Sequence, residues 1–246
     1  MPRLPDNLLY LINEVPSAKY VWWYYCIFHI YAGRLPNKIM PDYKQCFSGE
    51  DTLAVPMVVY GNRSYDDALT ELCLITRDCG FHLIGAAAMV SRHTFSRTLS
   101  KNRPDEQDAA EIRTFAENLA KSIENGSYQT QTQRLAEERF LKNLPSVGAY
   151  YTPLREDGAP AKFLKATPQT DFTICNHCGI CVNVCPMGSI TAGIEVNGVC
   201  IKCQACVRKC PQQAKFFDDA QFLSHVRMLE RDYTRQAENY ITEIRK

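Results

Sequence analysis

The fold of this chain is decided by one stretch, Cys175-Asn-His-Cys178-Gly-Ile-Cys181-Val-Asn-Val-Cys185-Pro186, and by its second copy, Cys200-Ile-Lys-Cys203-Gln-Ala-Cys206-Val-Arg-Lys-Cys210-Pro211. Both copies have the spacing CxxCxxCxxxCP. Three thiolates separated by two residues each on a tight loop can bind three corners of an iron–sulfur cube. The fourth cysteine precedes a proline, which turns the chain and has no N–H to donate. The doubled spacing therefore predicts two [4Fe–4S] clusters.

Structural zinc and disulfides are the alternatives to this interpretation. Zinc sites with CxxC motifs take their four ligands as two pairs, whereas here three cysteines share one loop, twice over. Disulfides are typical of small secreted proteins, and nothing in the sequence indicates export. His177, inside the first motif, is not expected to be a ligand. The cysteines outside the motifs have no ligand spacing and are interpreted as small buried hydrophobic residues: Cys26, Cys46, Cys73 and Cys79.

The repeat over residues 175–211 resembles a two-cluster bacterial ferredoxin. In such ferredoxins the fourth cysteine of one motif ligates the other cluster. The resemblance therefore implies crossed ligation, in which each cluster takes three cysteines from one motif and the last cysteine of the other. The implied ligands of one cluster are Cys175, Cys178, Cys181 and Cys210. Those of the other are Cys200, Cys203, Cys206 and Cys185.

Residues 21–126 alternate strand-like and helix-like segments. Apolar runs over 21–30, 53–60 and 81–90 predict strands, and the periodic patterns that follow Ser64 and Pro104 predict helices. Strands and helices that alternate with short turns are typical of a parallel sheet flanked by helices. The sequence therefore predicts an α/β domain before the cysteine motifs.

Four stretches outside the cysteine motifs carry a second resemblance: Tyr31–Pro36, Val55–Leu69, His93–Ser96 and Phe163–Pro168. They are similar to a fusion family of anaerobic bacteria, the "ferrodoxins", in which a flavodoxin-like domain precedes a ferredoxin domain. Over residues 29–215 this resemblance implies a flavodoxin-like parallel sheet followed by an α+β ferredoxin domain. It also implies FMN as a cofactor, bound at the carboxyl ends of the strands. The implied contacts to the flavin ring are Gly33, Arg34, Gly61, Asn62 and Tyr65.

The chain departs from that family at its start. The family opens with a strand and a Ser/Thr- and Gly-rich loop that binds the FMN phosphate at a helix N-terminus. Residues 1–20 contain no glycine, and Ser17 is their only serine or threonine. We therefore expect the first strand and the phosphate loop to be missing, as in a truncated gene, and FMN to bind weakly.

The resulting division of the chain has four parts. Residues 1–126 are expected to form the incomplete flavodoxin-like domain, and residues 127–170 a linker with a short helix over 131–143. Residues 171–217 are expected to form the ferredoxin domain. Residues 218–246 have helical apolar spacing and are predicted to be a C-terminal amphipathic helix.

Composition excludes several classes of function. The formal net charge is +1 with no block of like charges, which argues against nucleic acid as a partner. The longest apolar run, over 20–31, is shorter than the ~20 residues that cross a bilayer. We see no signal peptide. These features predict a cytoplasmic protein without a membrane span.

Three functions remain for such a chain. The first is a redox carrier that relays single electrons between redox partner proteins through two [4Fe–4S] clusters, with FMN as a further relay. The second is a flavin-dependent iron–sulfur oxidoreductase with its own substrate, for which only His82 and His93 are candidate acid–base groups. The third is a plain ferredoxin that carries a degenerate flavodoxin domain. The resemblance favours the carrier over an enzyme.

Overall fold

The structure is a computed structural model that describes residues 24–37, 48–50, 52–129 and 131–245. The chain forms two compact units. The cysteine unit consists of Thr152–Thr234 together with the short segment Thr94–Thr98. The sheet unit consists of the described residues before Thr94, of Leu99–Tyr151, and of the C-terminal segment from Arg235.

The elements are numbered in chain order. The strands are β1 (Tyr24–His29), β2 (Leu53–Tyr60), β3 (His82–Leu83), β4 (Gly85–Val90), β5 (Gln169–Thr170), β6 (Lys215–Phe216) and β7 (Tyr240–Glu243). The helices are α1 (Ala68–Asp78), α2 (Glu106–Glu124), α3 (Gln131–Lys142), α4 (Ile180–Asn183), α5 (Ala205–Lys209) and α6 (Ala220–Asp232), with a 3-10 turn at Ser127–Gln129. None of the helices within the described ranges is long and apolar enough to cross a membrane.

The sheet unit is built on a mixed sheet with the strand order β1-β2-β4-β7, in which β3 pairs with the start of β2. Strands β1, β2 and β4 are parallel, as predicted, but β7 is antiparallel to β4. Both faces of β2 are covered. Val58 packs with Leu72 of α1 on one face, and Met57 packs with Phe115 of α2 on the other. A strand buried on both faces has to be apolar throughout, which explains the continuous run over 53–60.

Small residues fill the centre of this sheet. Strand β4 begins Gly85-Ala86-Ala87-Ala88, and all four residues are buried. A Cβ atom built on Gly85 would lie 2.7 Å from the ring of Phe115 and 3.1 Å from the carbonyl oxygen of Thr242. Helix α2 and strand β7 therefore approach β4 more closely than a larger side chain would allow.

The C-terminal segment differs from the helix predicted over 218–246. Helix α6 ends at Asp232, and Tyr240–Glu243 form β7 instead. Tyr, Ile and Thr favour strands, and β7 pairs with the otherwise open edge of β4, where Tyr240 lies opposite Ala88. Ile244 is then buried in the core of the sheet unit. The predicted linker is divided between the two units after Tyr151, and its helix α3 packs on the sheet through Ala136.

A buried carboxylate joins the start of α2 to the C-terminal segment. The Asp108 side chain is 2 % exposed, accepts hydrogen bonds from the Arg103 guanidinium, and accepts one from Asn239 Nδ2 at 2.6 Å. Burial alone would raise the pKa of Asp108. The hydrogen bonds from Arg103, from the Asp105 backbone N–H and from Asn239 outweigh burial, and the pKa lies below its usual value.

Asp108→Asn is expected to loosen the sheet unit. Removing the charge weakens the hydrogen bonds to Arg103 and Asn239, which costs about 1.5–3 kcal/mol. Amide hydrogen exchange of the α2 and β7 peptides at pH 7 measures this loss as faster exchange. Glu117→Gln is the matched control, because Glu117 is exposed on the same helix.

The difference in stability between the parent protein and Asp108→Asn should shrink as the pH falls. Since folding lowers the pKa of Asp108, its stabilisation is complete above the unfolded value of ~3.9 and is lost as the pH falls through the folded value. Equal exchange in Asp108→Asn and in the control at pH 7 would contradict the assigned role of Asp108.

Candidate metal centre

Each cysteine motif folds into the same loop. In the first, His177 and Gly179 have φ angles of 56° and 73°, and the loop then enters α4, which carries Cys181. In the second, Lys202 and Gln204 have φ angles of 57° and 61°, and the loop then enters α5. Two left-handed residues in each loop turn the chain tightly between successive cysteines. This local path brings the three thiols of one motif onto the same side of the loop.

The eight cysteines of the motifs surround two cavities. The first cavity, of ≈ 310 Å³ including space open to solvent, is lined by Cys175, Cys178, Cys181 and Cys210. The second cavity, of ≈ 380 Å³ on the same measure, is lined by Cys185, Cys200, Cys203 and Cys206. The structure thus places the last cysteine of each motif beside the other motif's first three. Within the described ranges, no group of three or more His, Cys, Asp or Glu side chains could hold a single metal ion.

Backbone N–H groups point at several of the cysteine sulfurs. Ser189 N–H donates to Cys185 Sγ at 3.3 Å, and Ala214 N–H donates to Cys210 Sγ at the same distance. Lys202 N–H donates to Cys200 Sγ at 3.4 Å. Hydrogen bonds to the sulfurs are among the contacts that set the reduction potential of a bound iron–sulfur cluster.

Two inner cysteines lie in an apolar wall. Cys181 and Cys206 are buried and share a hydrophobic cluster with Ile190 and Ile194. Burial raises the pKa of Cys206 to about 11 and also raises that of Cys181, while the nearby Lys215 ammonium acts in the opposite direction on both. Binding of iron at these thiols must therefore be accompanied by loss of a proton.

Buried lysines accompany the cavities. Lys215, 2 % exposed, lines the first cavity, and its Nζ donates to the carbonyl oxygen of Ile194. Lys202, 3 % exposed, lines the second cavity, and its Nζ donates to the carbonyl oxygen of Leu164 at 2.8 Å. A buried ammonium is costly unless negative charge lies nearby, and an iron–sulfur cluster with four thiolate ligands carries such charge.

The Gln204 side chain is further evidence on whether the second cavity fits an iron–sulfur cluster. Its side chain is buried and lines that cavity, and its Nε2 has no hydrogen-bond partner among the described residues. A buried amide donor without an acceptor costs about 1–3 kcal/mol. Cluster and thiolate sulfurs would supply the missing acceptor. The donor set of the two cavities therefore fits two iron–sulfur clusters.

The first loop predicted to contact flavin is held by contacts within the sheet unit. Gly33 has a φ of 76°, and a Cβ there would collide with the Asp66 side chain. The Arg34 guanidinium donates to both carboxylate oxygens of Glu71, at 2.8 and 2.7 Å, and this pair raises the pKa of Arg34. Asp67 N–H, two residues after the second predicted flavin loop, donates to the Gly33 carbonyl at 3.1 Å.

The second predicted flavin loop, after β2, contacts the C-terminal segment. Asn62 is 3 % exposed; its Nδ2 donates to the Arg235 carbonyl at 2.8 Å, and its Oδ1 accepts from Ala237 N–H at 3.1 Å. The Tyr65 ring packs on Tyr240 with 6.1 Å between centroids. A Cβ on Gly61 would lie 2.6 Å from the His93 backbone. All five predicted contact residues thus have neighbours within the sheet unit that explain their presence.

The remaining candidates have internal partners or fall outside the described residues. His82 Nδ1 lies 3.1 Å from a carboxylate oxygen of Glu137, which also accepts from Leu83 N–H. Cys73 is buried and Cys79 half-buried, as expected for small hydrophobic residues. The predicted absence of a phosphate loop concerns residues 1–20, which lie outside the described residues, as does Cys46.

Comparison with protein-family models gives two matches in the cysteine unit. Residues 168–191 and residues 197–215 each match a 4Fe-4S binding domain. The first match contains Cys175 to Cys185 and the second contains Cys200 to Cys210. A search of curated proteins found no similar protein.

The chain therefore carries two ferredoxin-type 4Fe-4S binding domains, which confirms the iron–sulfur interpretation of the doubled motif. Domains of this type support iron–sulfur electron transfer. The two matches do not reach the sheet unit, and the resemblance to flavodoxin–ferredoxin fusions stays a prediction.

Proposed function

We propose that this protein is an electron carrier that relays single electrons through two [4Fe–4S] clusters with crossed ligation. The observation that supports this best is the pair of cavities, each lined by three cysteines of one motif and the last cysteine of the other. The proposed ligands of the first cluster are Cys175, Cys178, Cys181 and Cys210. The proposed ligands of the second are Cys185, Cys200, Cys203 and Cys206.

Bound clusters would supply the one-electron chemistry, and the chain's own residues bind, insulate and expose them. Cys181 and Cys206 lie in the apolar wall with Ile190 and Ile194, which keeps water away from the side where the motifs meet. At the surface, Cys178 and Cys203 are exposed, one at each cavity. A redox partner protein can therefore approach either cavity without any rearrangement of the loops.

A more specific version of this function would have the clusters exchange electrons with FMN bound in the sheet unit. It requires that polar groups in the loops at 31–34 and 60–65 turn towards a ligand. Asn62 instead holds the C-terminal segment, and Arg34 holds Glu71 through both carboxylate oxygens. The residues present do not fit a flavin in this conformation. We therefore derive no step through FMN.

Anaerobically prepared protein is expected to contain about eight iron atoms and about eight inorganic sulfides per chain, since each [4Fe–4S] cluster contains four of each. After reduction it should pass about two electrons per chain to a one-electron acceptor. Chemical analysis and low-temperature EPR of the reduced protein measure this. Cys79→Ser should leave both contents unchanged, because Cys79 lines neither cavity. A protein that contains zinc and no iron would refute the proposal.

A further inference from the structure

The two cysteine motifs share their cysteine spacing, and one of the positions at which they differ follows the second cysteine directly. With a constant offset of 25 residues, Cys175 corresponds to Cys200, and Gly179 corresponds to Gln204. Both residues have left-handed backbone, with φ angles of 73° and 61°. Glycine adopts this conformation without strain, whereas glutamine does so at a cost. The second loop therefore carries a side chain at a position where the first loop folds without one.

The Gln204 side chain is directed into the protein rather than into solvent. The residue is 7 % exposed and lines the second cavity beside Cys203 and Cys206. Its Nε2 is buried and has no hydrogen-bond partner within the described ranges. At the corresponding position the first loop has Gly179, which has no side chain, and the amide side chains that line the first cavity, Asn176 and Gln212, belong to exposed residues. A buried amide donor without an acceptor among the described residues thus lines the second cavity and not the first.

We propose that the Gln204 amide donates a hydrogen bond to a sulfur atom of the cluster in the second cavity and raises the reduction potential of that cluster. This inference rests on the proposed function. Reduction adds one electron to the cluster and makes its sulfurs more negative, so an N–H donor stabilises the reduced state more than the oxidised state. The proton stays on nitrogen throughout, and the effect on the potential needs no proton transfer.

The two buried lysines, Lys202 and Lys215, do not produce the same difference between the two cavities. Each cavity is lined by one of them: Lys215 lines the first, and its Nζ is hydrogen-bonded to the Ile194 carbonyl. Lys202 lines the second cavity, but its Nζ is hydrogen-bonded to the Leu164 carbonyl. Gln204 thus lines one cavity and carries a buried donor that has no acceptor among the described residues.

Gln204→Leu tests the inference, because leucine fills a similar volume and has no donor. Redox titration of the holoprotein, followed by EPR, should show that one cluster becomes harder to reduce while the other is unchanged. We expect its ratio of reduced to oxidised forms at a given potential to fall by about tenfold, which is ~59 mV for one electron. Gln213→Leu is the matched control: Gln213 has a φ of 54° but is exposed, and it lines neither cavity.

Gly179→Gln is the reciprocal variant. A Cβ on Gly179 meets no atom within 4 Å, and Gln204 shows that the corresponding position of the other loop holds a glutamine at a similar left-handed φ despite its cost. This change should make the first cluster easier to reduce and leave the second unchanged. In the double variant Gln204→Leu/Gly179→Gln, the two potentials should shift in opposite directions.

The outcomes separate this inference from the proposed function. Parent protein without iron would refute the proposed function. Parent protein with two clusters, together with unchanged potentials in Gln204→Leu, would overturn the role of Gln204 alone. A shift of both clusters, or a Gln213→Leu shift of the same size, would also overturn it. If Gln204→Leu fails to hold the second cluster, the amide retains the cluster rather than tunes it, and the inference is wrong.

Discussion

Cys185→Ala is expected to abolish the cluster in the second cavity and to spare the cluster in the first, although Cys185 belongs to the first motif. Cys185 lines the second cavity with Cys200, Cys203 and Cys206, while the first cavity takes Cys210 in its place. Iron and sulfide should both fall to about four per chain, since one [4Fe–4S] cluster remains. Cys210→Ala should have the reciprocal effect.

Alkylation of the native holoprotein identifies the cluster that is lost. Thiolates that bind iron are protected from iodoacetamide, whereas released thiols react. In Cys185→Ala, peptide mass spectrometry should find Cys200, Cys203 and Cys206 modified, whereas the four cysteines of the first cavity, including Cys210, stay protected. Cys79→Ser serves again as the control with both motifs protected. Modification of Cys175, Cys178 and Cys181 in Cys185→Ala would show that each motif binds its own cluster.

FMN and riboflavin are expected to bind this chain with similar and poor affinities. A phosphate cradle at a helix N-terminus offers several N–H donors to a dianion, and charge-assisted hydrogen bonds are worth about 1.5–3 kcal/mol each. Loss of even three weakens binding by ~4.5 kcal/mol or more, which is over a thousandfold. Residues 1–20 contain no glycine and only one serine or threonine, Ser17, which is too few for such a cradle.

The contacts of the predicted ring loops also weaken flavin binding. Asn62 would have to release the Arg235 carbonyl and the Ala237 N–H before it could bind a ring. Arg34 would have to release Glu71. Titration of the apoprotein with each flavin, followed by fluorescence, tests this expectation. Tight binding of FMN with strong preference over riboflavin would contradict it and would indicate a phosphate site outside the described residues.

The iron–sulfur site could be predicted because its information is local. The eight cysteines lie in two short loops, and the spacing within each loop controls where three of the thiols point. The bounds of strand β2 could also be predicted. The apolar run over 53–60 has the bounds of β2, since a strand with both faces covered must be apolar at every position.

The C-terminal segment could not be predicted from its own residues. Its apolar residues recur at spacings that fit a helix, yet Tyr240–Glu243 pair with β4 in the structure. The favourable conformation depends on an unpaired strand edge that is distant in sequence, and on Asn62, which holds Arg235 and Ala237. Short segments of this kind take the conformation that their tertiary neighbours stabilise.

The amino-acid sequence thus sufficed for the two 4Fe-4S binding motifs and for strand β2, because neighbouring residues carry each of those signals. Folding in three dimensions was needed to turn the last residues into a strand of the sheet and to leave the Gln204 amide buried beside one cavity. These features depend on which distant groups meet, and the free energy of such contacts cannot be read from spacing along the chain.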